Sequence, residues 1–512
     1  MSLLSPLQFV HRCLERFTFS RVSTEFVQQE LLALKTDKAV GLDHLNNRLL
    51  KSAAVIIAPS LTGIFNESLL RSEFPEDWKQ ARLSPIHKAG DRATPNNYRP
   101  VSILPAVSKI LERTVHSQVY EYLTVNSILT EAQSGFRPGH STQSAAHLLT
   151  EKWYSAMNAG QLTGAVFIDL SKAFDTLDHK ILLQKMFCYG IQGEALDWFT
   201  SYLSSRQHCT AVNGATSDFH QMQYGVPQGS ILGPLLFLIY VNDMPNCAKF
   251  CYLSMYADDT VIYYCDKDVS IIEDKLQNDL NTLTQWFIAN SLSVNSGKCK
   301  FMLIGTDKRV NSCRSPKLSI NGAAVTACNM YKYLGVIIDR NLNWKCQVNA
   351  ILCKLRRSLS ILKHVRTFVS TPTLLTLYKA IFLPHIVYAC TVWDSASDRE
   401  LEKLQRMQNR AGKLILRAPY LTPSAEVHAR LGWKDVKSTL KHHKALLVHK
   451  ALNNRLPSYM RRMFTYCRDR ATRSTRLSAS DLLVVPNAIE RGLQEVPSLL
   501  RFADMELLTT GR

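Results

Sequence analysis

The segment GAVFIDL (Gly164–Leu170) runs through small and apolar residues into a carboxylate, Asp169, and that ending restricts what the chain can fold into. The run reads as a strand buried on both faces of a sheet. A carboxylate closing such a strand costs desolvation unless it meets a cation, another charge or a helix N-terminus. Ser171 could make Asp169 part of a capping arrangement, and the other reading is a cation site. A second carboxylate cluster follows 89 residues later, where MYADDTVIYY (Met255–Tyr264) sets Asp258 and Asp259 between two short strand signals. Taken alone, such a pair is a solvated hairpin turn, because Asp tolerates turn geometry. Adjacent side chains of an extended strand point to opposite faces, so a bend is what would bring both to one site. If the two strands are sheet neighbours, Asp169 and Asp258 converge, and hard carboxylate oxygens there suit magnesium. Two such ions about 4 Å apart fit phosphoryl transfer.

The surrounding pattern mixes strands and helices up to residue 340 and is helical beyond it. Residues 22–72 carry helical periodicity, and FPEDWKQARLSPIHKAGDRATPNNYRPVSIL (Phe74–Leu104) reads as Pro-punctuated strand and loop. Helices are expected over 106–123, up to about Asn158, after Ser171 and over 270–290. Strands are expected over 210–223, 300–304, 317–320 and 331–338. Beyond Asn341 there is almost no strand signal. The fold class is therefore α+β, with a basic all-helical C-terminal region.

Charge separates the same two parts. Residues 341–512 hold 29 Lys and Arg against 12 Asp and Glu, whereas residues 1–340 are nearly balanced at 32 against 30. An excess confined to one-third of the chain indicates a polyanion partner, nucleic acid before an acidic membrane surface. With 46% hydrophobic residues the chain is not of the disordered class. Its 13 cysteines form neither CxxC pairs nor zinc-spaced clusters and read as small buried hydrophobes of a reducing compartment. No signal peptide is legible, and the apolar stretches at 230–241 and 374–393 are too short or too interrupted to span a bilayer.

Three blocks occur in a telling order: FIDLSKAFDTLDH (Phe167–His179), GVPQGSILGPLLF (Gly225–Phe237) and YADD (Tyr256–Asp259). With LKTDKAVGLDHLNNRLLK, NYRPVSILPAVSKILER, QSGFRPGHST, NSGKCKFMLIG and YLGVIID, they resemble the reverse transcriptases of non-LTR (LINE-type) retrotransposons, particularly jockey-like elements. The resemblance covers about residues 30–420. It implies a right-hand polymerase of fingers, a palm with an antiparallel sheet, and a thumb. The implied divisions are a helical N-terminal extension (1–80), fingers and palm (81–340), a helical thumb (341–420) and a basic helical region (421–512).

Carried over residue by residue, the resemblance makes Asp169, Asp258 and Asp259 the catalytic and metal-binding carboxylates, with the Leu170 carbonyl a further ligand of two Mg2+ ions or of Mn2+. Phe174 matches a steric gate against the ribose 2′-hydroxyl; its alternative is ordinary core packing. Lys88 and Arg99 match the cations gripping the incoming triphosphate. Gln228 resembles a nucleotide-contacting glutamine, or is a turn-facing amide, and Arg137 looks like a template or nucleotide contact. Lys298 matches a lysine that could protonate the pyrophosphate leaving group, or is a solvated loop lysine. Tyr333, Leu334 and Gly335 resemble a primer-grip hairpin.

In SASDRELEKLQRMQNRAGKLILRAP, Ser397 and Glu400 read as a capping box. An apolar stripe (Leu401, Leu404, Met407, Ala411, Leu414) accompanies a basic one of Lys403, Arg406, Arg410, Lys413 and Arg417. The basic stripe is expected to track phosphates, its alternative being a solvated face. Arg461–Arg476, RRMFTYCRDRATRSTR, interleaves aromatics and arginines as single-strand binders do. The implied activity is RNA-directed DNA polymerisation, with an RNA template, a DNA primer and dNTPs as partners and no membrane. No endonuclease block or zinc knuckle is found, so the reading expects a separately encoded endonuclease, and an isolated polymerase portion or truncated copy. The expected location is nuclear or cytoplasmic, not secreted. The competing readings are an RNA-templated RNA polymerase and an inactive relic that only binds nucleic acid.

Overall fold

The computed structural model describes residues 4–464. Its centre is a five-stranded sheet in the order Thr326–Ala327, Lys300–Ile304, Leu162–Ile168, Asp259–Asp266, Tyr252–Tyr256. Neighbours run antiparallel, except that Thr326–Ala327 lies parallel to Lys300–Ile304. The Leu162–Ile168 strand sits in the middle with all seven residues buried, which is why its sequence is apolar without alternation.

That strand divides its side chains between two cores. Leu162, Val166 and Ile168 pack with Ile272, Leu276 and Leu280 of the Val269–Ala289 helix. Gly164 belongs to that face because a Cβ there would stand 2.4 Å from Ile272 and 2.8 Å from Leu276. Ala165 and Phe167 face the other way, into a core shared with Leu149 and Trp153 of the Thr142–Asn158 helix. This second core also takes Trp344, Leu355, Leu374, Trp393 and Leu404, so the C-terminal helices are packed onto the back of the central sheet.

A second sheet flanks the first. In it Gln80–His87 pairs antiparallel with Tyr98–Ile103 and parallel with Gln207–Val212. From residue 341 on, the described residues are helical or irregular, with principal helices Lys345–Val365, Thr371–Ile381, Asp398–Ile415 and Val436–Leu452. No helix among the described residues is long and apolar enough to cross a membrane, and none of their cysteines is disulfide-bonded.

Two local expectations are corrected. No helix follows Ser171; Lys172 adopts φ 49°, residues 172–178 form a loop, and the helix His179–Cys188 begins later, where the Asp178 carboxylate accepts from the amides of Lys180 and Ile181. Ser397 forms no side-chain cap either. Glu400 is drawn into the protein instead, and its carboxylate accepts from Lys403 Nζ at 2.6 Å. The apolar stripe of that helix ends on buried Ile415, with Leu414 only partly covered. The aromatic-arginine segment beyond Phe464 lies outside the described residues.

Candidate active site

Sheet register brings the carboxylates together. Pairing of Ile168 with Thr260 carries Asp169 to the level of Asp259, one residue beyond the ladder. In the adjoining hairpin Tyr256 pairs with Asp259, leaving Ala257 and Asp258 as a two-residue turn. Ala257 has φ 55°, the positive value that tight hairpin turns require at their first central residue. The bend puts Asp258, Asp259 and Asp169 on the wall of one cleft of about 1230 Å³. Partial desolvation, then the facing charges of Asp258 and Asp169, push the Asp259 carboxyl up to about 6. That repulsion is what a bound cation would relieve.

The opposite wall comes from the second sheet and the loop after Asp169. Lys88 follows the Gln80–His87 strand, where its amide donates to the Asn97 carbonyl at 2.8 Å, and Arg99 pairs with Ile86 across the ladder. Both line the cleft. Phe174 stacks on Phe237 with centroids 4.4 Å apart and meets Phe136 edge to face at 5.8 Å. Its ring is therefore held from two sides while still lining the cleft. Gln228 Nε2 donates to Asp175 Oδ1 at 2.7 Å, and its carbonyl accepts from the Ser102 amide at 2.7 Å. Behind this turn the buried Glu112 carboxylate accepts from the amides of Ile231 and Leu232, anchoring the start of the Leu232–Val241 helix.

Lys298 reaches the carboxylates from the other side, its Nζ 3.5 Å from Asp169 Oδ2. The same loop donates the Asn295 amide to the Asp169 carbonyl at 2.9 Å. Leu170 lies in a short pair with Val294 and also lines the cleft. The donor set of three carboxylates and a backbone carbonyl, without sulfur or imidazole, is that of a hard divalent cation. Among the described residues, no three His, Cys, Asp or Glu side chains stand close enough to grip an ion as they are placed.

Not every candidate joins this site. The Arg137 guanidinium donates to the carbonyls of Thr130 (2.7 Å) and Gln133 (3.1 Å), and the residue is not among those lining the cleft. Tyr333 is buried, its ring 6.0 Å from that of Phe167, so of the three expected primer-grip residues Leu334 and Gly335 are the ones partly open to solvent. The Leu334 carbonyl accepts from Tyr388 Oη at 2.8 Å. Of the basic stripe, Arg406, Arg410 and Arg417 are exposed, and Arg406 Nε donates to the Glu402 carbonyl at 3.4 Å. Lys403 pairs with Glu400, Lys413 Nζ donates to the Tyr420 carbonyl, and Arg417 donates to the carbonyls of Arg366 and Val369.

Sequence reasoning passed over Lys172, Asp175, Phe136 and Asn295, which also line the cleft. Lys172 Nζ donates to Asn96 Oδ1 at 3.0 Å, tying the loop after Asp169 to the connection between Gln80–His87 and Tyr98–Ile103. Each lies within or beside a block already singled out, and the order of residues alone does not say which of them face inward.

Carboxylates at a strand end and hairpin thus face cations across one cleft, an arrangement suited to a divalent ion and a phosphate-bearing ligand. The comparisons narrow this reading. Residues 86–338 match the reverse transcriptase (RNA-dependent DNA polymerase) family. The probable RNA-directed DNA polymerase from transposon X-element of Drosophila melanogaster is 30% identical over 454 residues, 85% of this chain and 49% of that protein. The corresponding enzyme of transposon BS, from the same fly, is 30% identical over 469 residues, 86% of the chain and 49% of the relative. The RNA-directed DNA polymerase from mobile element jockey of Drosophila funebris is 28% identical over 446 residues, 84% and 48%. Residues 86–338 thus carry a reverse transcriptase domain, the chain is similar to these transposon polymerases along most of its length, and it spans about half the length of these curated relatives.

Proposed function

We propose that the chain is an RNA-directed DNA polymerase that extends a DNA primer 3′-hydroxyl with dNTPs on an RNA template. The observation carrying this reading is the meeting of Asp169 with the Asp258–Asp259 turn in a cleft whose facing wall holds Lys88, Arg99, Phe174 and Gln228. The central sheet serves as palm, the flanking sheet as fingers and the helices from Lys345 as thumb. Two Mg2+ ions held by Asp169, Asp258, Asp259 and the Leu170 carbonyl would activate the attacking hydroxyl and stabilise the leaving oxygen.

The chain's own residues account for the remaining requirements. Lys88 and Arg99 offset the triphosphate charge from fixed positions at the ends of paired strands. Phe174, wedged between Phe237 and Phe136, presents an immobile ring beneath the sugar and so excludes a 2′-hydroxyl. Gln228, oriented by Asp175, lies beside that ring to align the nucleotide. Lys298 supplies a proton to the departing pyrophosphate. Arg406 and Arg410, turned to solvent, contact the phosphates of the template-primer duplex.

Primer extension with purified protein tests the reading. Extension on an RNA template should require dNTPs and Mg2+, stop on chelation and resume on readdition of the ion. Incorporation of rNTPs at least as efficient as of dNTPs would favour an RNA-templated RNA polymerase instead.

A further inference from the structure

The turn that carries Asp258 and Asp259 does not hold its own shape. Ala257 sits at φ 55°, a left-handed conformation in which an L side chain is strained, and it is buried, so water cannot satisfy its peptide groups. Both of those groups are taken by one side chain. Gln133, 3% exposed, accepts from the Ala257 amide at 2.9 Å through Oε1 and donates to the Ala257 carbonyl at 3.2 Å through Nε2. The same Oε1 accepts from the Gly135 amide at 2.7 Å.

The surrounding backbone closes on the hairpin as well. The Met255 amide donates to the Ala132 carbonyl at 2.8 Å, and the Ser134 amide donates to the Met255 carbonyl at 2.9 Å. Gly135 lies so close that a Cβ there would be 2.2 Å from the Ala257 nitrogen. Arg137 completes the arrangement from behind, because one of the carbonyls it binds is that of Gln133. On the far side Tyr459 Oη lies 3.0 Å from Ser134 Oγ, and Ser458 Oγ donates to Glu131 at 3.0 Å.

We propose that Gln133, braced by Arg137, is a positioning residue that fixes the Ala257 turn and thereby sets the spacing of Asp258 and Asp259 for divalent-cation binding. This rests on the polymerase reading only for its effect on rate. Mg2+ demands near-ideal geometry from its oxygen ligands, so a turn free to relax loses affinity even with every carboxylate present. It also gives Arg137 a task that needs no contact with template or nucleotide.

The test uses the full chain with Gln133→Met, which keeps the length but not the bonds, and Arg137→Met. Mn2+ binding, followed by electron paramagnetic resonance, is expected to weaken at least fivefold in Gln133→Met and about twofold to threefold in Arg137→Met. Template-primer affinity should stay within twofold, and extension should slow at least tenfold in the first variant. Unchanged Mn2+ affinity in folded Gln133→Met overturns the proposal, and so does a loss of template-primer or dNTP affinity in Arg137→Met without a change for Mn2+. A wild-type chain that binds Mn2+ but extends no primer overturns the polymerase reading and leaves the metal comparison to decide the role of Gln133. Should Gln133→Met not fold, hydrogen exchange on the unaltered chain decides: the Ala257 amide should exchange as slowly as those of the central strands, and exchange at the rate of an open loop contradicts the clamp.

Discussion

Lys298 Nζ stands 3.5 Å from Asp169 Oδ2, so the carboxylate closing the central strand is met by a cation from the loop after Ser293–Val294. The pair is open to water, with the lysine side chain 69% exposed, and such contacts add little to stability. Lys298→Ala should therefore melt within about 1 °C of the unaltered protein. If the lysine protonates the leaving pyrophosphate, the same change should slow single-nucleotide addition by about 10²-fold while dNTP affinity stays within a few-fold. Pre-steady-state extension measures both, and an unchanged rate assigns Lys298 to the solvated loop.

Asp259 gives a pH prediction whose sign can be worked out. Its carboxyl is raised to about 6 by desolvation and by the facing Asp258 and Asp169 charges, and the ion must displace any proton held there. Mn2+ affinity should thus fall as pH drops through about 6, well above the range of an ordinary aspartate. For folding, the sign is opposite to that of a salt-bridged acid: the folded state holds the proton more tightly, so stability declines as pH rises through this window. Because Asp259 is exposed on the cleft wall, solvent screens most of this effect, and Asp259→Asn should raise the melting temperature without added metal only slightly at pH 7.5 and not at all below about pH 4.

Phe174 is stacked on Phe237 at 4.4 Å and braced by Phe136, so its ring cannot swing away from a sugar with a 2′-hydroxyl. Phe174→Val should raise rNTP incorporation relative to dNTP incorporation by at least tenfold, on the order of the 1–3 kcal/mol that a small steric change in a pocket is worth. Competition between dNTP and rNTP in primer extension reads the ratio directly. Unchanged sugar selectivity would leave Phe174 with a packing role only.

The basic stripe of Asp398–Ile415 divides into two kinds of residue. Arg406→Glu with Arg410→Glu should weaken duplex binding and flatten its salt dependence by a slope of about 2, one unit for each phosphate that is no longer neutralised. Lys413→Ala and Arg417→Ala should leave that slope nearly unchanged and instead lower thermal stability, since both side chains donate to carbonyls of the protein itself. Binding titrations from about 50 to 200 mM salt separate the two patterns.

What could be read from the residues follows from how local the signals are. The apolar run before Asp169 and the strand-turn-strand pattern around Asp258 depend on neighbours in sequence, and the sheet forms where they indicate. Their pairing, inferred from chemistry, is the ladder that joins Ile168 to Thr260. The failures came where distant contacts, or a competing local one, override the expected partner. Ser171 and Ser397 carry capping chemistry, but a loop drawn into the cleft displaces the first helix start and the Lys403 contact turns Glu400 away from the second. Arg137 is a cation in a turn-rich block, and only the fold shows that its Nη1 is engaged by the carbonyls of Thr130 and Gln133. Gln133 bonds to a residue 124 positions away, which no spacing rule could connect.

The central claim is that Asp258, set on its strained turn beside Asp169, takes part in nucleotide addition. The direct measurement compares the unaltered chain with Asp258→Ala on an RNA template annealed to a DNA primer, with Mg2+ and labelled dNTPs, while template-primer binding is followed in parallel. The account predicts extension by the unaltered chain, a loss of at least 10³-fold in the variant, on the scale that metal-assisted transfer supplies, and binding within about twofold in both. Equal extension by the two proteins, or binding without extension by the unaltered chain, would contradict it.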